Sequence, residues 1–465
     1  MPHRLSKRKL YPHQQDMLSY CRREEHPALF VEMRLGKCVV AIRRCQTYTP
    51  RNPGLGLRVL IVAPFSALDG WERELRLEGE KGVVYLTGEK GARFKALWGA
   101  SWTAGNQWCL FNKEGHLSLP EVMDVWWDAV ILDESHFIKN PQAQVTEFFL
   151  NRFGDVPHRW LLTGTPNPQG DLDLWTQLAF LDGKAFGHAS YWDFRASRFS
   201  CPVWSHDWKP NVGTRTLVKR TLAERAFVLK KADVGLEIPT VYERRLLELP
   251  GEVQDAYRTA EEEFLLEWKG KEVKDTKHAV VRLQWLRQLC SGYLDGEFIW
   301  RGKYTELVTL LQGELAHEPV VVWFNYNNQL RQAAQMLEVH GMDPAIVYGD
   351  INKASRREEF SRFREGKTRI LLAQQAVAQT GLDLSIADTC IYFNPPLGTL
   401  ARSQTEARIE RLGKRGPLLV VDLCVKDSVD TDILDALQDK TEDQTRMLRR
   451  VLTLIRRRNR NVTHS

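Results

Sequence analysis

A chain of 465 residues exceeds what one hydrophobic core usually supports, so its length predicts two domains. With 43% hydrophobic and 27% charged residues it reads as soluble and globular, which excludes a disordered or fibrous chain, and no apolar run approaches membrane-spanning length. The net charge of +6 is compatible with nucleic acid, and eight cysteines without CxxC or Cys/His ligand spacing point to reduced thiols in place of disulfides or zinc. The basic start lacks the apolar core of a signal peptide, so the expected location is the cytoplasm of a bacterial or phage-infected cell, or the nucleus of a eukaryote.

Strands and helices then alternate along the chain. Apolar runs predict strands at 28–31, 59–63, 129–132 and 160–163, and later at 320–324, 345–348, 370–373, 390–393 and 418–421. Helical patterns separate most of them, which argues for an α/β fold of parallel sheets covered on both faces. The two groups of strands predict lobes at 1–185 and 305–440. Between them, 186–304 reads as a mainly helical, aromatic and basic insertion and linker, and 441–465 as a basic tail.

Two segments carry the chemistry. Glu32-Met33-Arg34-Leu35-Gly36-Lys37-Cys38 follows a strand and opens a helical pattern. Backbone N–H groups at such a helix start cradle phosphate, and Lys37 would reach the β- and γ-oxygens. The full phosphate-loop pattern has Gly where Val31 stands and Ser or Thr where Cys38 stands, so it is only partly met. The second segment is an apolar strand ending in Asp133-Glu134-Ser135-His136. Parallel sheets place ligands at their strand tips, where Asp133 can hold Mg²⁺ and Glu134 can orient a water toward a γ-phosphate.

Order along the chain joins these segments to others. The sequence resembles the helicase superfamily 2 ATPases and, within them, the Swi/Snf-like DNA translocases, from Leu10 to about Asp439. Leu10-Tyr11-Pro12-His13-Gln14 resembles the adenine-reading Gln motif, and Val62-Ala63-Pro64 with Trp71 and Glu74 resembles motif Ia. Asp133 to His136 with Lys139-Asn140 resembles motif II, and Leu162-Thr163-Gly164-Thr165-Pro166 resembles motif III. Phe227-Val228-Leu229-Lys230-Lys231 is similar to a further segment typical of this branch. In the second lobe, Tyr348-Gly349-Asp350, Gly381-Leu382-Asp383 and Gln404-Thr405-Glu406-Ala407-Arg408-Ile409-Glu410-Arg411 resemble motifs IVa, V and VI.

The resemblance implies two RecA-like lobes, ATP and Mg²⁺ as cofactors, and a monomeric ATPase stimulated by double-stranded or branched DNA, with a recruiting protein as a further partner. It places Lys37 and the amides of Arg34, Leu35, Gly36 and Cys38 on the phosphates, Gln14 on the adenine, and Gly381 and Asp383 beside the nucleotide. Asp133, with Cys38 near it, would face the metal, and Glu134 would be the water-orienting base. Arg408 and Arg411, three apart on a predicted helix and so facing one way, would be arginine fingers. Thr163, Gly164, Thr165, His136 and Gln404 would couple the site to lobe motion. Two positions depart from the family. Arg34 replaces a glycine, which a loop accepts if the side chain points outward, and Cys38 replaces a hydroxyl residue with a thiol that Mg²⁺ does not favour. Weaker metal affinity or slower turnover is expected in consequence.

Candidate DNA contacts are Lys139, Asn140, Arg195, Arg198, Lys209 and Arg215, with Tyr191, Trp192, Trp204 and Trp208 able to stack on bases or to pack a small subdomain. The arginine-rich run at 446–460 can bind phosphate or form a solvated helix face. Three readings follow: a translocase on duplex DNA, a strand-separating helicase on DNA or RNA, and an ATPase-deficient nucleic-acid-binding scaffold whose site decayed at Cys38. The compact length suits a minimal motor of bacterial or phage type.

Overall fold

The computed structural model describes residues 8–52, 54–99, 105–168, 170–201, 208–269, 276–294, 297–378, 383–410, 416–438, 451 and 453–455. It divides into two compact units, Met1–Glu237 and Ile238–Ser465. Among the described residues no helix is long and apolar enough to cross a membrane.

The first unit begins with helix α1 (Pro12–Arg23), strand β1 (Ala28–Val31) and helix α2 (Lys37–Cys45). Strands β2 (Arg58–Ala63), β3 (Gly82–Leu86), β4 (Gln107–Asn112), β5 (Ala129–Asp133) and β6 (His158–Thr163) follow. A short hairpin of β7 (Phe199–Ser200) and β8 (Lys209–Pro210) precedes β9 (Phe227–Leu229). Seven strands form one sheet in the order β3-β4-β2-β5-β6-β1-β9, every pair parallel. β1 and β5 are buried along their whole length, as continuous apolar runs in a sheet covered on both faces should be. One face packs Phe30, Val62, Phe111 and Leu132 against Phe149, Leu174 and Leu178.

The second unit holds β10 (Thr240–Leu247), a hairpin of β11 (Tyr293–Leu294) and β12 (Glu297–Phe298), then β13 (Val320–Phe324), β14 (Ala345–Val347), β15 (Ile370–Gln374), β16 (Thr389–Tyr392) and β17 (Leu418–Val425). Six of them form a second parallel sheet, β10-β17-β16-β13-β15-β14. Its two faces bury separate clusters, around Val322, Leu330 and Leu372 on one side and Trp323, Phe360 and Leu371 on the other.

The α/β expectation matches these sheets, whereas the domain boundaries differ from it. Within the stretch 186–304, β9 belongs to the first sheet and β10 to the second, and the units part between Glu237 and Ile238. β10 pairs with β17 over eight residues, yet Glu243-Arg244-Arg245 sits in its middle. An edge strand tolerates such charges because its outer rim meets solvent, and they hide the strand from an apolar-run reading. The short apolar runs of the edge strand β3 and of β4 have no period that separates strand from helix. The helical pattern at 252–289 is two helices, Gly251–Lys269 and Thr276–Cys290. In the expected basic tail, Val451 and Ile455 are buried against Leu286, Ile433 and Leu437, so its apolar positions belong to the second core. Most of its arginines lie outside the described residues.

A pH dependence follows for the first unit. Arg159 approaches His26 Nε2 at 3.1 Å, and burial together with that charge lowers the His26 pKa below its usual value. Burial lowers His158 as well. An imidazole kept neutral in the folded state binds its proton more readily when unfolded, so stability is full above about pH 6.5 and declines as pH falls through that value. The thermal midpoint should therefore drop between pH 7 and pH 5, and His26→Gln/His158→Gln should flatten the drop. An equally steep decline in the double variant would show that these imidazoles do not cause it.

Candidate functional site

The site of the first unit grows from three adjacent strands. β5, β6 and β1 run side by side, with Asp133 opposite Leu162 and Thr163 opposite Phe30, so their carboxyl ends share one rim of the sheet. After β1 the chain turns into α2, whose N-cap Gly36 has φ 90°. A Cβ at Gly36 would stand 2.3 Å from Nε2 of Gln14, so both conformation and space demand glycine. Arg34 also takes the left-handed region, φ 66°. The backbone at this position favours glycine, and arginine there costs about 1 kcal/mol.

Lys37 is buried at the start of α2 and donates Nζ to the carbonyl oxygens of Val31 at 2.6 Å and Glu32 at 3.4 Å. From α1, Gln14 Nε2 donates to the Leu35 carbonyl at 3.3 Å while its Oε1 accepts from Tyr11 N, and His13 Nε2 lies 3.2 Å from the same Leu35 oxygen. Gly164 approaches the loop from β6, where a Cβ would lie 3.4 Å from Met33 N. The motif I loop is therefore braced by the Gln motif on one side and by motif III on the other.

Asp133 ends β5 buried, with Oδ2 accepting from Trp71 Nε1 at 2.8 Å and Oδ1 accepting from the Glu134 amide at 3.0 Å. Burial and the adjacent Glu134 carboxylate push its carboxyl up to about 6. Glu134 leaves the strand at φ 53°, and its Oε2 accepts from Thr163 Oγ1 at 3.3 Å. The same hydroxyl accepts from Thr165 N at 3.1 Å and lies 3.2 Å from His136 Nδ1. Burial, with Lys113 and Lys139 nearby, lowers His136 to about 4, so at neutral pH it stands beside Glu134 uncharged. Ser135 Oγ donates to Gln177 Oε1 at 2.8 Å, and Gln177 Nε2 donates to the carbonyls of Pro166 and Asp173. Gln177 was absent from the sequence reading; its only signal is an amide inside the otherwise apolar helix Asp173–Asp182.

The donors fit one metal mode and not another. Burial, then the carboxylates of Asp133 and Glu74, hold the Cys38 thiol well above its usual pKa, leaving it protonated and soft. Among the described residues no three His, Cys, Asp or Glu side chains converge as a metal cluster. Mg²⁺ commonly rests on one or two carboxylates, waters and substrate phosphates, a role Asp133 suits and Cys38 does not.

In the second unit, Arg408 stands in the last turn of the helix Thr399–Ile409, and its carbonyl accepts from Leu384 N at 3.0 Å. That bond ties motif VI to the segment after Asp383, whose Oδ1 accepts from Ser385 N at 3.2 Å. The helix stops at Ile409 and Glu410 is extended at ψ 139°. Arg411 and Gly381 lie outside the described residues. Gln404 is half-buried on the same helix. Arg402, missed in the sequence, binds Asp422 through both terminal nitrogens at 3.0 and 2.8 Å and Glu406 through Nε at 2.8 Å.

Of the expected DNA-contact residues, Arg195, Arg198, Lys209 and Arg215 gather around the β7–β8 hairpin, and Lys139 and Asn140 stand in the segment after motif II. Lys139 lies 4.0 Å from Asp173, and Asn140 Oδ1 accepts from Gln142 N at 3.0 Å. Arg195 stacks over Trp192 and Trp208 at 4.6 and 4.4 Å, while Tyr191 packs edge-on against Trp175. These rings thus form the packed subdomain weighed above more than a row of stacking platforms. The Arg198 carbonyl accepts from Asn211 N and Thr214 Oγ1, both at 2.8 Å, and Lys209 and Arg215 are exposed. Trp204 lies outside the described residues.

A test of the loop geometry follows. Gly36→Ala should lower unfolding free energy by about 1–2 kcal/mol, because alanine meets a left-handed backbone as well as Gln14. Adding Gln14→Ala should recover part of that loss in chemical denaturation; strictly additive losses would mean that the two residues do not meet.

Two family models match the chain: an SNF2-related domain over residues 13–293 and a Helicase conserved C-terminal domain over 302–416. It is 25% identical to Protein CHROMATIN REMODELING 4 of Arabidopsis thaliana, over 93% of this chain and 21% of that protein. It is 23% identical to ATP-dependent DNA helicase DDM1 of the same plant, over 88% of this chain and 57% of that protein. The chain therefore spans less than two thirds of either relative. The Sulfolobus solfataricus SWI2/SNF2 ATPase core in complex with dsDNA is similar over 96% of this chain and 97% of its own, at 21% identity and a TM-score of 0.44. The Pyrococcus furiosus Hef helicase domain is similar over 92% and 97%, at 14% identity and a TM-score of 0.49. With one model matching residues 13–293 of 465 and the second following it, the chain belongs to the SNF2-related family of helicase superfamily 2.

Proposed function

We propose that this protein hydrolyses ATP to ADP and phosphate and uses the cycle to move along double-stranded or branched DNA. The observation that carries the reading is the convergence of Lys37, Asp133 and Glu134 on one sheet rim, with Glu134 bonded to Thr163 of the neighbouring strand. When nucleotide binds, the Lys37 ammonium exchanges the carbonyls of Val31 and Glu32 for phosphate oxygens. Amides at the start of α2 take the remaining oxygens. Gln14, already bonded to Leu35, turns its amide to the adenine edge.

Asp133, oriented by Trp71, would hold Mg²⁺ with water and phosphate oxygens; bound there, the ion neutralises charge on the phosphates. Glu134 accepts a proton from the attacking water, and Thr163 fixes its carboxylate. Arg408 of the motif VI helix is the arginine-finger candidate, a charge suited to offsetting what builds up late in the reaction. The Thr163 hydroxyl also contacts the Thr165 amide and His136, and Ser135 reaches Pro166 through Gln177. A change in the bonding of Glu134 on hydrolysis is thus passed directly to the 163–166 backbone. Duplex DNA as the track is supported by membership of the SNF2-related family and by a relative named as an ATP-dependent DNA helicase. Cys38 is the one feature that favours an ATPase-deficient scaffold.

Hydrolysis of Mg²⁺-ATP should be stimulated at least about tenfold by duplex DNA over single strands or RNA, and Lys37→Ala and Glu134→Gln should each remove it by about a hundredfold or more. DNA binding without turnover under any condition would overturn this reading in favour of the scaffold. Cys38→Thr should lower the Mg²⁺ concentration needed for half-maximal hydrolysis several-fold, while leaving DNA affinity unchanged. Trp71→Phe removes a hydrogen bond to a charged carboxylate and should slow kcat roughly tenfold with the fold intact; an unchanged kcat would relieve Trp71 of its role.

A further inference from the structure

We propose that Gln177 is a positioning residue for hydrolysis: its carboxamide ties the turn that carries Glu134 to the turn that follows Thr163, and so fixes the Glu134 carboxylate between them. The inference rests on the reading of Glu134 as the water-orienting base given under Proposed function.

Gln177 lies in the helix Asp173–Asp182, and both it and Ser135 are fully buried. Its Oε1 accepts from the hydroxyl of Ser135, the residue after Glu134, at 2.8 Å. Its Nε2 donates to the carbonyl of Pro166, three residues after Thr163, and to that of Asp173 at 2.8 Å. Both N–H groups of the amide and one lone pair of its oxygen are thus used.

The Glu134 carboxylate has contacts of its own, and each comes from a segment that Gln177 joins. Thr163 Oγ1 stands 3.3 Å from Oε2 and accepts from Thr165 N at 3.1 Å, in the turn leading to Pro166. His136 Nδ1 stands 3.5 Å from the same carboxylate oxygen and 3.2 Å from the Thr163 hydroxyl. His136 follows Ser135 in the short helical turn Ser135–Ile138. The Glu134 backbone is held as well, its N donating to Asp133 Oδ1 at 3.0 Å and its carbonyl accepting from Phe137 N at 3.1 Å. It stands at φ 53°, a conformation costly for a residue with a Cβ and kept only where neighbours over-determine it. All of these groups belong to the first unit.

Direction is what the amide adds to packing. Leu174 and Leu178, on the same helix, share a core cluster with Ile138. Apolar contact of that kind is non-directional and lets two turns shift against each other. A carboxamide bonded on three sides does not, because its donor and acceptor ends cannot exchange partners. Without it the spacing between Ser135 and Pro166 is free to change, and with it the angle at which Thr163 and His136 meet the Glu134 carboxylate.

The test compares kcat, KM for ATP and thermal midpoint in the full chain with duplex DNA. Gln177→Met keeps the volume and removes all three bonds; it should lower kcat about tenfold with KM within about threefold. Ser135→Ala removes only one of the three and should lower kcat about threefold, which keeps the test open if Gln177→Met does not fold. In a Glu134→Gln background, where the carboxylate is gone, Gln177→Met should change the residual single-turnover rate less than about twofold. The control is Asp128→Ala. Asp128 is buried at the opposite end of β5, where it accepts from Arg51 N at 2.9 Å and Arg58 N at 2.7 Å. At a comparable fall in midpoint this variant should keep kcat within about threefold, and Trp127→Phe, which removes the bond to the Val122 carbonyl at 2.7 Å, replaces it if it does not fold.

Equal kcat losses in the Gln177 variant and the control at matched midpoints would overturn the proposal, reducing Gln177 to a structural residue. So would a tenfold loss that persists undiminished in the Glu134→Gln background, since Gln177 would then act through some other group. Glu134→Gln by itself separates the two levels: parental kcat in that variant fails the reading of Glu134, and the positioning role falls with it. If Glu134→Gln removes turnover while Gln177→Met and Ser135→Ala leave kcat unchanged, only the positioning role falls.

Discussion

The site of the first lobe depends on the parallel pairing of β5, β6 and β1. Parallel strands end at the same rim, and register decides which residues stand beside one another there. Asp133 opposite Leu162 and Thr163 opposite Phe30 place the acid pair, the motif III hydroxyl and the phosphate loop on adjacent strands. A slip of one residue would turn every side chain of a strand to the other face. That register is strongly held, since β1 and β5 are buried on both faces and any slip would move apolar groups out of well-filled positions.

On that rim the chemistry is set by burial. Burial and the adjacent Glu134 carboxylate raise the proton affinity of Asp133, while the bonds from Trp71 and its own following amide act in the opposite sense and orient the carboxylate. His136 is kept neutral by the same lack of water, so it orders Thr163 without adding charge beside Glu134. Arg34 and Glu134 both stand in the left-handed region. Two such residues on facing loops store of the order of 1 kcal/mol each, a cost that persists where surrounding contacts over-determine the backbone. The bonds from Gln14 and Thr163 and the close approach of Gly164 are of that kind.

The second lobe uses polar groups differently. Its sheet is filled by Val, Leu and Ile, and two buried ion pairs are set into it, Lys303 with Asp430 and Arg402 with Asp422. Buried pairs add little net stability once desolvation is counted, and their worth lies in direction. Lys303 also donates to the Phe393 carbonyl at 3.0 Å, joining the helix Gly302–Gln312 to the end of β16. Arg402 joins the motif VI helix to β17, β16 and β10.

The sequence by itself determined the α/β class, most of the buried strands and the order of motifs, because a fully buried parallel strand must be a continuous apolar run and a phosphate loop must join strand to helix. It also marked Lys37, Asp133 and Glu134 as candidates, through their local segments taken together with the order of the motifs along the chain. It could not place β10, whose central charges mask an edge strand, nor the end of the motif VI helix at Ile409. The partners Trp71 for Asp133, Gln177 for Ser135 and Asp422 for Arg402 are 62, 42 and 20 residues away along the chain, beyond the reach of any helical or strand period. Only the tertiary structure decided them, because hydrogen bonds across such separations follow from strand register and helix packing, which a local pattern does not contain.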